Sequence, residues 1–262
     1  MSTSSVADAQ LAGKRVLVTG AGQGVGKRIA EVLGAAGCHV VVNDLAGERA
    51  AQVAADIRAA GGSASASPFD VTDHEAARRS IDAAQVDVLV NNAGNAGADG
   101  FGTIRRFVDT SPADWDPFLQ VNMYGVMNCT HAALPAMMSA GWGRVITIIS
   151  DAGRMGGAHL APYSAAKAAA AGFSRAIARE VARHGITANA IALGTMRTPL
   201  TEPLWADPEQ QAAQDALLSD YLVRRPGDPD DVAWVTLMLA SPRAGWITGQ
   251  TIPVNGGLSF AQ

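Results

Sequence analysis

Short apolar runs rich in β-branched residues alternate with helix-like segments along the chain, and this alternation constrains the fold more than any other feature. The runs lie at 15–20, 39–44, 86–92, 143–150, 186–192 and 250–257, with a weaker candidate at 63–69. Helix-like patterns fall at 24–36, 47–60, 73–84, 112–139, 162–184 and 228–240. The alternation predicts an α/β, doubly wound fold with a parallel sheet of about seven strands and helices on both faces.

The pattern continues without a linker or an internal repeat, so we expect residues 1–262 to form a single Rossmann-like domain. One segment, 195–223, interrupts the alternation between the strand at 186–192 and the last helix. It holds three prolines and an apolar-rich face. Long loops in compact domains are usually functional, so this segment is either a surface connection or a lid over a substrate.

Charge and composition exclude several classes of partner. A net charge of -4 and a pI near 5.7 argue against nucleic acid or an anionic membrane. The two cysteines are far apart and the five histidines show no ligand spacing, so neither a disulfide framework nor a metal is expected. The polar N-terminal stretch and the absence of an eighteen-residue apolar run predict a cytoplasmic protein.

A glycine cluster follows the first strand and precedes the first helix. Glycines allow the backbone to approach phosphates closely, and a helix N-terminus offers unpaired N–H groups to a pyrophosphate. The spacing Thr19-Gly20-x-x-x-Gly24-x-Gly26 departs from the common GxGxxG pattern. The loop is therefore either a dinucleotide site or a tight strand-to-helix turn.

The next strand ends at Asp44, eighteen residues after Gly26, where an acid can accept hydrogen bonds from an adenosine ribose. A carboxylate there repels the additional phosphate of NADP, and Gln23 is neutral where an arginine would bind that phosphate. These residues favour NAD, with NADP the less favoured dinucleotide. The alternative for Asp44 is an acid that caps a helix.

Tyr163 and Lys167 share one face of a predicted helix. The chain has only three lysines, so a lysine at 167 stands out against the arginines used elsewhere. An ammonium about 4 Å from a phenol is worth on the order of 4 kcal/mol at an effective dielectric near 20, or roughly three pKa units. This predicts a phenol pKa near 7, suited to general acid–base catalysis. A buried aromatic residue beside a surface lysine is the alternative.

Ser150 ends the strand before this helix, where its hydroxyl can polarise a carbonyl oxygen. Together the glycine loop, Asn91-Asn92-Ala93-Gly94, Asn122, Ser150 and Tyr163-Ser164-Ala165-Ala166-Lys167 resemble the short-chain dehydrogenase/reductase family. The resemblance extends from about Leu11 to Gly257. It implies that Ser150, Tyr163 and Lys167 form the catalytic group and that Asn122 holds a water in a proton relay to Lys167.

The same resemblance implies the cofactor contacts and the assembly. Asn91 and the residues after it would line the ribose, Asp70 would meet the adenine amino group, and Thr198 the nicotinamide carboxamide. The final strand implies a homotetramer. The full set of expected cofactor contacts is Gly20, Gln23, Gly24, Val25, Gly26, Asp44, Asp70, Val71, Asn92, Ala93, Gly94, Tyr163, Lys167, Gly194, Met196 and Thr198.

Two positions depart from the family's pattern. Leu193 stands where a proline is usual, which loosens the backbone beside the nicotinamide and makes the positions of Thr195 and Thr198 harder to predict. Asp151 follows Ser150 where small residues are frequent. We expect Asp151 to cap a turn, with contact to a polar substrate as the alternative.

The chain is expected to be an oxidoreductase that transfers a hydride between NAD and an apolar secondary alcohol or ketone. His159, Leu204 and Trp205 are the candidates for substrate contact. One alternative is an NADPH-dependent 3-oxoacyl thioester reductase, although Ser139-Ala140-Gly141-Trp142 lacks the basic residues expected for docking an acyl carrier protein. A second alternative is a non-catalytic dinucleotide-binding protein.

Overall fold

The computed structural model describes residues 10–95 and 105–260, which form one parallel sheet flanked by helices. Its strands run in the order β3-β2-β1-β4-β5-β6-β7. The strands are β1 (Arg15–Val18), β2 (His39–Val42), β3 (Ser63–Ala66), β4 (Val88–Asn91), β5 (Gly143–Ser150), β6 (Ile186–Leu193) and β7 (Thr251–Val254). The predicted doubly wound fold is confirmed, including the weakest strand candidate, which is β3.

The helices cover both faces because successive strand side chains point to opposite sides. Val16 and Val18 pack under one layer of helices, while Leu17 packs under the other. The first layer is α1 (Gly24–Ala35), α2 (Gly47–Ala59) and α10 (Pro229–Ala240). The second layer is α3 (His74–Ala84), α5 (Gly125–Ala140) and α7 (Ala161–Val181).

The predicted helix at 112–139 is not continuous. It consists of α4 (Pro112–Leu119), a π-helical turn at Gln120–Tyr124 and then α5. Pro117 lies inside α4 and removes one backbone donor. Single π-helical turns inside helices occur frequently at functional sites, and this one carries the buried Asn122.

Three short α-helices complete the α-helices of the described residues. The first is α6 (Ala152–Met155), which follows β5 directly. The segment 195–223 contains the other two, α8 (Glu202–Ala206) and α9 (Gln211–Leu218). Among the described residues, no helix is both long and apolar enough to cross a membrane.

The strand order determines where a ligand can enter. β1 lies between β2 and β4, so the connections after β1 and β4 leave toward opposite faces of the sheet. In open α/β sheets this reversal opens a crevice at the carboxyl ends of the strands. The glycine loop after β1 and the Asn92–Gly94 stretch after β4 both lie there.

Candidate active site

The two loops at the crevice are joined by Thr19 at the end of β1. Its Oγ1 accepts hydrogen bonds from the backbone N–H groups of Asn92 and Ala93, each at 3.0 Å. Asn92 in turn donates from Nδ2 to the carbonyl oxygen of Gly20 at 3.0 Å. These bonds hold the glycine loop against the end of β4, so the crevice is preformed.

The glycines leave a cradle that larger residues would fill. A Cβ on Gly26 would lie 2.4 Å from Asn92 Nδ2, and Gly24 adopts a positive φ of 56° that favours glycine. Beside them lies a groove of about 410 Å³. The groove is lined by most of the expected cofactor contacts: Gly20, Gln23, Gly24, Val25, Gly26, Asp44, Asp70, Val71, Asn92, Ala93, Gly94 and Thr198. The residues present fit a dinucleotide, and roles for individual side chains stay predictions.

Asn91 lies apart from this set. It is buried within β4, where its Nδ2 donates to Thr130 Oγ1 at 3.0 Å. Its side chain therefore connects β4 to α5 rather than the groove. Asp70 is exposed at the groove, and its Oδ1 accepts from the N–H and the hydroxyl of Thr72, both at 2.8 Å.

Asp44 lies at the expected end of the groove but is already engaged. It is 5% exposed, and its Oδ2 accepts from the N–H of Gly22 at 3.0 Å. Its Oδ1 accepts from the N–H of Ala46 at 2.9 Å and from Arg49 Nη2 at 2.8 Å. The carboxylate thus has a cationic partner, which the sequence analysis did not foresee.

Arg49 is the residue that sequence reasoning missed. Its Nη1 also reaches Gln23 Oε1 at 3.4 Å, so a guanidinium stands where the sequence predicted only neutral and acidic groups. Arg49 lies in the first turn of α2, five residues after Asp44. An arginine in the first turn of the helix that follows the acid is a signal that could have identified it.

Ser150 and Tyr163 lie together at the carboxyl end of β5. Ser150 Oγ accepts from the N–H of Ala152 at 3.1 Å, and the Ser150 and Tyr163 hydroxyls are hydrogen bonded to each other. The ring of Tyr163 stands edge-on to Phe118, with centroids 6.3 Å apart. The N–H of Ala152 uses one lone pair of Ser150, so the two hydroxyls form an oriented pair.

The expected lowering of the phenol pKa is wrong for this structure. Burial raises the pKa of Tyr163 above its usual range, and the hydrogen bond from Ser150 opposes that shift. Lys167 Nζ lies 5.9 Å from the centre of the Tyr163 ring and donates to the carbonyl oxygen of Ile148 at 3.1 Å. Burial also lowers the pKa of Lys167 to about 8, so its own charge is weakened by the environment that raises the pKa of the phenol.

Asn122 and Lys167 converge on Gly94. A Cβ on Gly94 would lie 2.9 Å from Asn122 Oδ1 and 3.1 Å from Lys167 Nζ. Asn122 Nδ2 donates to the carbonyl oxygens of Asn95 and Phe118, both at 3.0 Å. Its Oδ1 is buried and has no hydrogen-bond partner within the described part of the chain. An unused acceptor near an ammonium fits the predicted water relay.

A cavity of about 620 Å³ opens next to the catalytic candidates and continues into the groove through Gly94 and Thr198. Gly194 and Met196, two further expected cofactor contacts, line it as well. Its apolar wall includes six residues that are spread along the chain: Met155, Leu160, Leu200, Leu217, Tyr221 and Leu258.

None of the three predicted substrate contacts lines this cavity. His159 is exposed with a positive φ of 65°, and Leu204 and Trp205 lie on α8 away from the cavity wall. The segment 195–223 does border the cavity, but through Leu200, Leu217 and Tyr221. Which apolar side chains face inward depends on how α8 and α9 pack, and hydrophobicity alone does not determine this.

Tyr221 holds the backbone after β6, where Leu193 replaces the usual proline. Its hydroxyl accepts from the N–H of Thr195 at 2.8 Å and donates to Thr195 Oγ1 at 3.0 Å. Its ring approaches so closely that a Cβ on Gly194 would lie 2.9 Å from it. A residue from the far end of the segment therefore restrains this loop.

The expectation that Asp151 caps a turn is wrong. It occupies the N-cap position of α6, but its side chain makes no capping hydrogen bond. The carboxylate is 2% exposed and pairs with Arg154 Nη1 at 2.7 Å. Asp151 also lines the cavity, so it lies within the site rather than at its edge.

Comparisons with known proteins agree with this geometry. Residues 20–259 match a family model described as enoyl-(acyl carrier protein) reductase. The chain is 38% identical over 249 residues to (2S)-[(R)-hydroxy(phenyl)methyl]succinyl-CoA dehydrogenase subunit BbsD from Thauera aromatica, which covers 93% of this chain and 96% of the relative.

Two solved structures share the whole fold. One is a gluconate 5-dehydrogenase from Burkholderia cenocepacia in complex with NADP and tartrate, with a TM-score of 0.88, 33% identity and coverage of 98% of this chain and 100% of that one. The other is a 3-oxoacyl-[acyl-carrier protein] reductase with bound NAD from Brucella melitensis, with a TM-score of 0.89, 30% identity and coverage of 100% and 97%. Relatives of similar closeness therefore hold different dinucleotides.

Proposed function

Because the chain belongs to the short-chain dehydrogenase/reductase family, we propose that this oxidoreductase interconverts an apolar, uncharged ketone and its secondary alcohol with NAD(H). The observation that carries the proposal is the hydrogen-bonded pair of Ser150 and Tyr163, with Lys167 one turn away, at the inner end of an apolar cavity. This pair also argues against a silent dinucleotide-binding protein, since nothing in the catalytic group is missing.

The hydroxyl pair suits proton exchange at a carbonyl oxygen. In the reductive direction the Ser150 hydroxyl would donate its hydrogen bond to that oxygen instead of to Tyr163, and Tyr163 would give the oxygen its proton. The N–H of Ala152 keeps the Ser150 hydroxyl oriented at 3.1 Å. The raised pKa of the buried phenol keeps Tyr163 protonated near neutral pH, which is the form that a proton donor requires.

Proton resupply falls to Lys167 and Asn122. Lys167 has a pKa near 8 and can exchange a proton close to neutral pH. The unpartnered Oδ1 of Asn122 offers an acceptor on the same side of Gly94. Together they form the protein's half of a route that returns a proton to Tyr163 after each reduction.

The bound dinucleotide would supply the hydride. The glycine loop and the N-terminus of α1 would bind its pyrophosphate, and Asp44 would face the adenosine ribose. Thr198 lies where the groove meets the cavity and would contact the nicotinamide carboxamide.

We propose NAD as the preferred dinucleotide, although Arg49 makes the preference smaller than Asp44 alone would give. Asp44 uses both oxygens on the protein, and its ion pair with Arg49 cancels much of its repulsion of a ribose phosphate. A phosphate must nevertheless displace that pair to use the guanidinium. NADH should bind at least tenfold more tightly than NADPH, or about 1.4 kcal/mol.

The lining of the cavity supports an uncharged substrate. Of its described lining residues, Lys167 alone is cationic, and it is buried and belongs to the catalytic group. Asp151 and Asp220 contribute acidic groups. A substrate carboxylate would find no unused cation there, so we expect a sugar acid such as gluconate to be a poor substrate.

The second candidate is a 3-oxoacyl thioester reductase. Its acyl chain is apolar and its reacting ketone is uncharged, so it suits the same cavity, and two of the relatives act on thioesters by name. The two candidates share their chemistry and differ in what lies outside the cavity. Activity on acetoacetyl-CoA, compared with 2-heptanone, distinguishes them.

The first experiment measures Tyr163→Phe against wild type. We expect turnover of 2-heptanone to fall below detection while the dissociation constant of NADH changes by less than about twofold. Tyr124→Phe is the matched control, because Tyr124 is 45% exposed at the surface. Retained turnover in Tyr163→Phe would contradict the proposed role of the phenol.

The second experiment tests the class of substrate. 2-Heptanone and 6-oxoheptanoate have the same carbon chain, but the second ends in a carboxylate. We expect kcat/KM to be at least tenfold higher for 2-heptanone. Equal kcat/KM values would contradict the inference that the cavity has no unused cation for a substrate carboxylate.

We also propose that the protein is a homotetramer. The molecular mass measured in solution tests this proposal.

A further inference from the structure

A polar cluster next to Ser150 ties the C-terminal segment 255–260 to the catalytic loop. Its centre is Asp151, whose Oδ1 accepts from Arg154 and whose Oδ2 accepts from Asn255 Nδ2 and from Ser259 Oγ at 3.0 Å. Asp151 is only 2% exposed. Contacts across more than 100 residues of sequence therefore converge on the residue that follows Ser150.

Arg154 completes the cluster from the other side. Its Nη1 donates to Ser259 Oγ at 2.5 Å and its Nη2 to the carbonyl oxygen of Phe260 at 2.6 Å. A buried ion pair contributes favourably only when further hydrogen bonds satisfy both charges. Here each charge has such bonds, and most of them lead to the C-terminal segment.

These anchors place Leu258 in the substrate cavity. The N–H of Leu258 donates to the carbonyl oxygen of Asn255 at 3.1 Å, and Gly256 and Gly257 make the turn with φ values of 60° and 80°. Leu258 then lines the cavity between two anchored neighbours, Asn255 and Ser259. Leu258 lines the same cavity as Ser150 and Tyr163.

We propose that Leu258 determines substrate specificity and that Asp151 and Arg154 are positioning residues that hold it in place. The C-terminal segment 255–260 is then one wall of the substrate cavity and limits the length of the apolar chain that fits. The inference rests on the proposed ketone reductase function and deepens it.

The test uses 2-butanone and 2-octanone with NADH and compares the ratio of their kcat/KM values. Leu258→Trp fills the cavity, and we expect the ratio of 2-octanone to 2-butanone to fall at least tenfold, the size of effect that pocket contacts give. The dissociation constant of NADH should change by less than twofold. Val108→Trp is the control, since Val108 is 79% exposed and does not line the cavity.

The positioning role is tested by Asp151→Asn, alone and combined with Leu258→Trp. Without the anchor, the tryptophan should change the chain-length ratio by less than about threefold. Amide hydrogen exchange over 255–260 should also become at least tenfold faster in Asp151→Asn than in wild type. An unchanged exchange rate, or a tryptophan effect of full size in the double variant, would overturn the positioning role.

The outcomes separate this inference from the proposed function. If wild type reduces neither ketone, the proposed function fails, and the exchange measurement alone decides whether Asp151 anchors the segment. If wild type reduces both and Leu258→Trp leaves the ratio unchanged, the specificity role of Leu258 is refuted. If Asp151→Asn does not fold, the comparison of Leu258→Trp with Val108→Trp still decides whether Leu258 determines specificity.

Discussion

Replacing Lys167 by methionine should stabilise the folded protein at neutral pH while abolishing its activity. The side chain is 5% exposed, and its Nζ donates to the carbonyl oxygen of Ile148 at 3.1 Å. Burial is the cause that lowers its pKa. A charge held in this way costs free energy, and the proposed function explains why the chain keeps it.

The cost follows from the pKa. Burial lowers the pKa of Lys167 from 10.5 to about 8, and each unit corresponds to about 1.4 kcal/mol. The ammonium therefore lowers the free energy of unfolding by about 3 kcal/mol at pH 7. Methionine keeps most of the aliphatic stem but leaves the carbonyl of Ile148 without this donor, a loss of about 1 kcal/mol. We expect a net gain of about 2 kcal/mol.

The gain has a definite dependence on pH. Since the pKa of Lys167 is lower in the folded state, the unfolded chain holds an additional proton between about pH 8 and pH 10.5. This group's contribution to wild-type stability consequently rises with pH across that window. Methionine does not titrate, so the advantage of Lys167→Met should be complete below pH 8 and absent above pH 10.5.

Urea unfolding at pH 7 and pH 10.5 measures both effects. The variant minus wild type difference cancels the titration of groups that the two proteins share. Lys27→Met serves as the control, because Lys27 is 38% exposed in an ion pair with Asp56 and should change stability by less than about 1 kcal/mol. The reasoning would be refuted if Lys167→Met were no more stable than wild type at pH 7. It would also be refuted if the difference in free energy of unfolding between variant and wild type were the same at pH 7 and pH 10.5.

Three further outcomes can be measured directly. Arg49→Ala should raise the ratio of the NADPH dissociation constant to the NADH dissociation constant about tenfold, because a cation that can bind the ribose phosphate of NADPH is removed. An unchanged ratio would show that Arg49 does not bind this phosphate. Cys38 and Cys129 should not react with a chromogenic thiol reagent at pH 8 until the protein unfolds, because burial raises both pKa values to about 12. A fast reaction of the native protein with this reagent would contradict the expectation. Tyr221→Phe should slow single-turnover hydride transfer about tenfold, because the N–H of Thr195 loses its hydrogen-bond partner. The dissociation constant of NADH should change by less than twofold. An unchanged rate would show that the Tyr221 hydroxyl is not needed to restrain the backbone at Thr195.

The sheet could be predicted because its signal is local. Apolar runs of four to eight residues, separated by helix-period segments, leave few arrangements other than a parallel sheet covered on both faces. The π-helical turn at Gln120–Tyr124 has no such signal. It changes the hydrogen-bond partner of a few backbone groups without altering the apolar periodicity, so the predicted helix continued through it.

The catalytic group could be located from the sequence, but its electrostatics could not. The spacing of Tyr163 and Lys167 places both on one helix face in any fold. The predicted lowering of the phenol pKa assumed an ammonium about 4 Å from the phenol at an effective dielectric near 20, with no cost of burial for either group. Burial acts on both groups and in opposite directions, raising the pKa of Tyr163 and lowering that of Lys167. How deeply a helix face is buried depends on what packs over it.

Asp44 and Asp151 differ in how far along the chain their hydrogen-bond partners lie. Each acid follows a strand at the crevice, and each was interpreted from its own position along the chain. Asp44 meets Arg49 on the next helix, whereas Asp151 meets Arg154 one turn later and then Asn255 and Ser259 across the molecule. Arg49 lies only five residues after Asp44, so a search of the neighbouring sequence for basic residues could find it. The second set is assembled only when the C-terminal turn folds back onto α6, so the role of Asp151 depends on tertiary contacts that no local pattern contains.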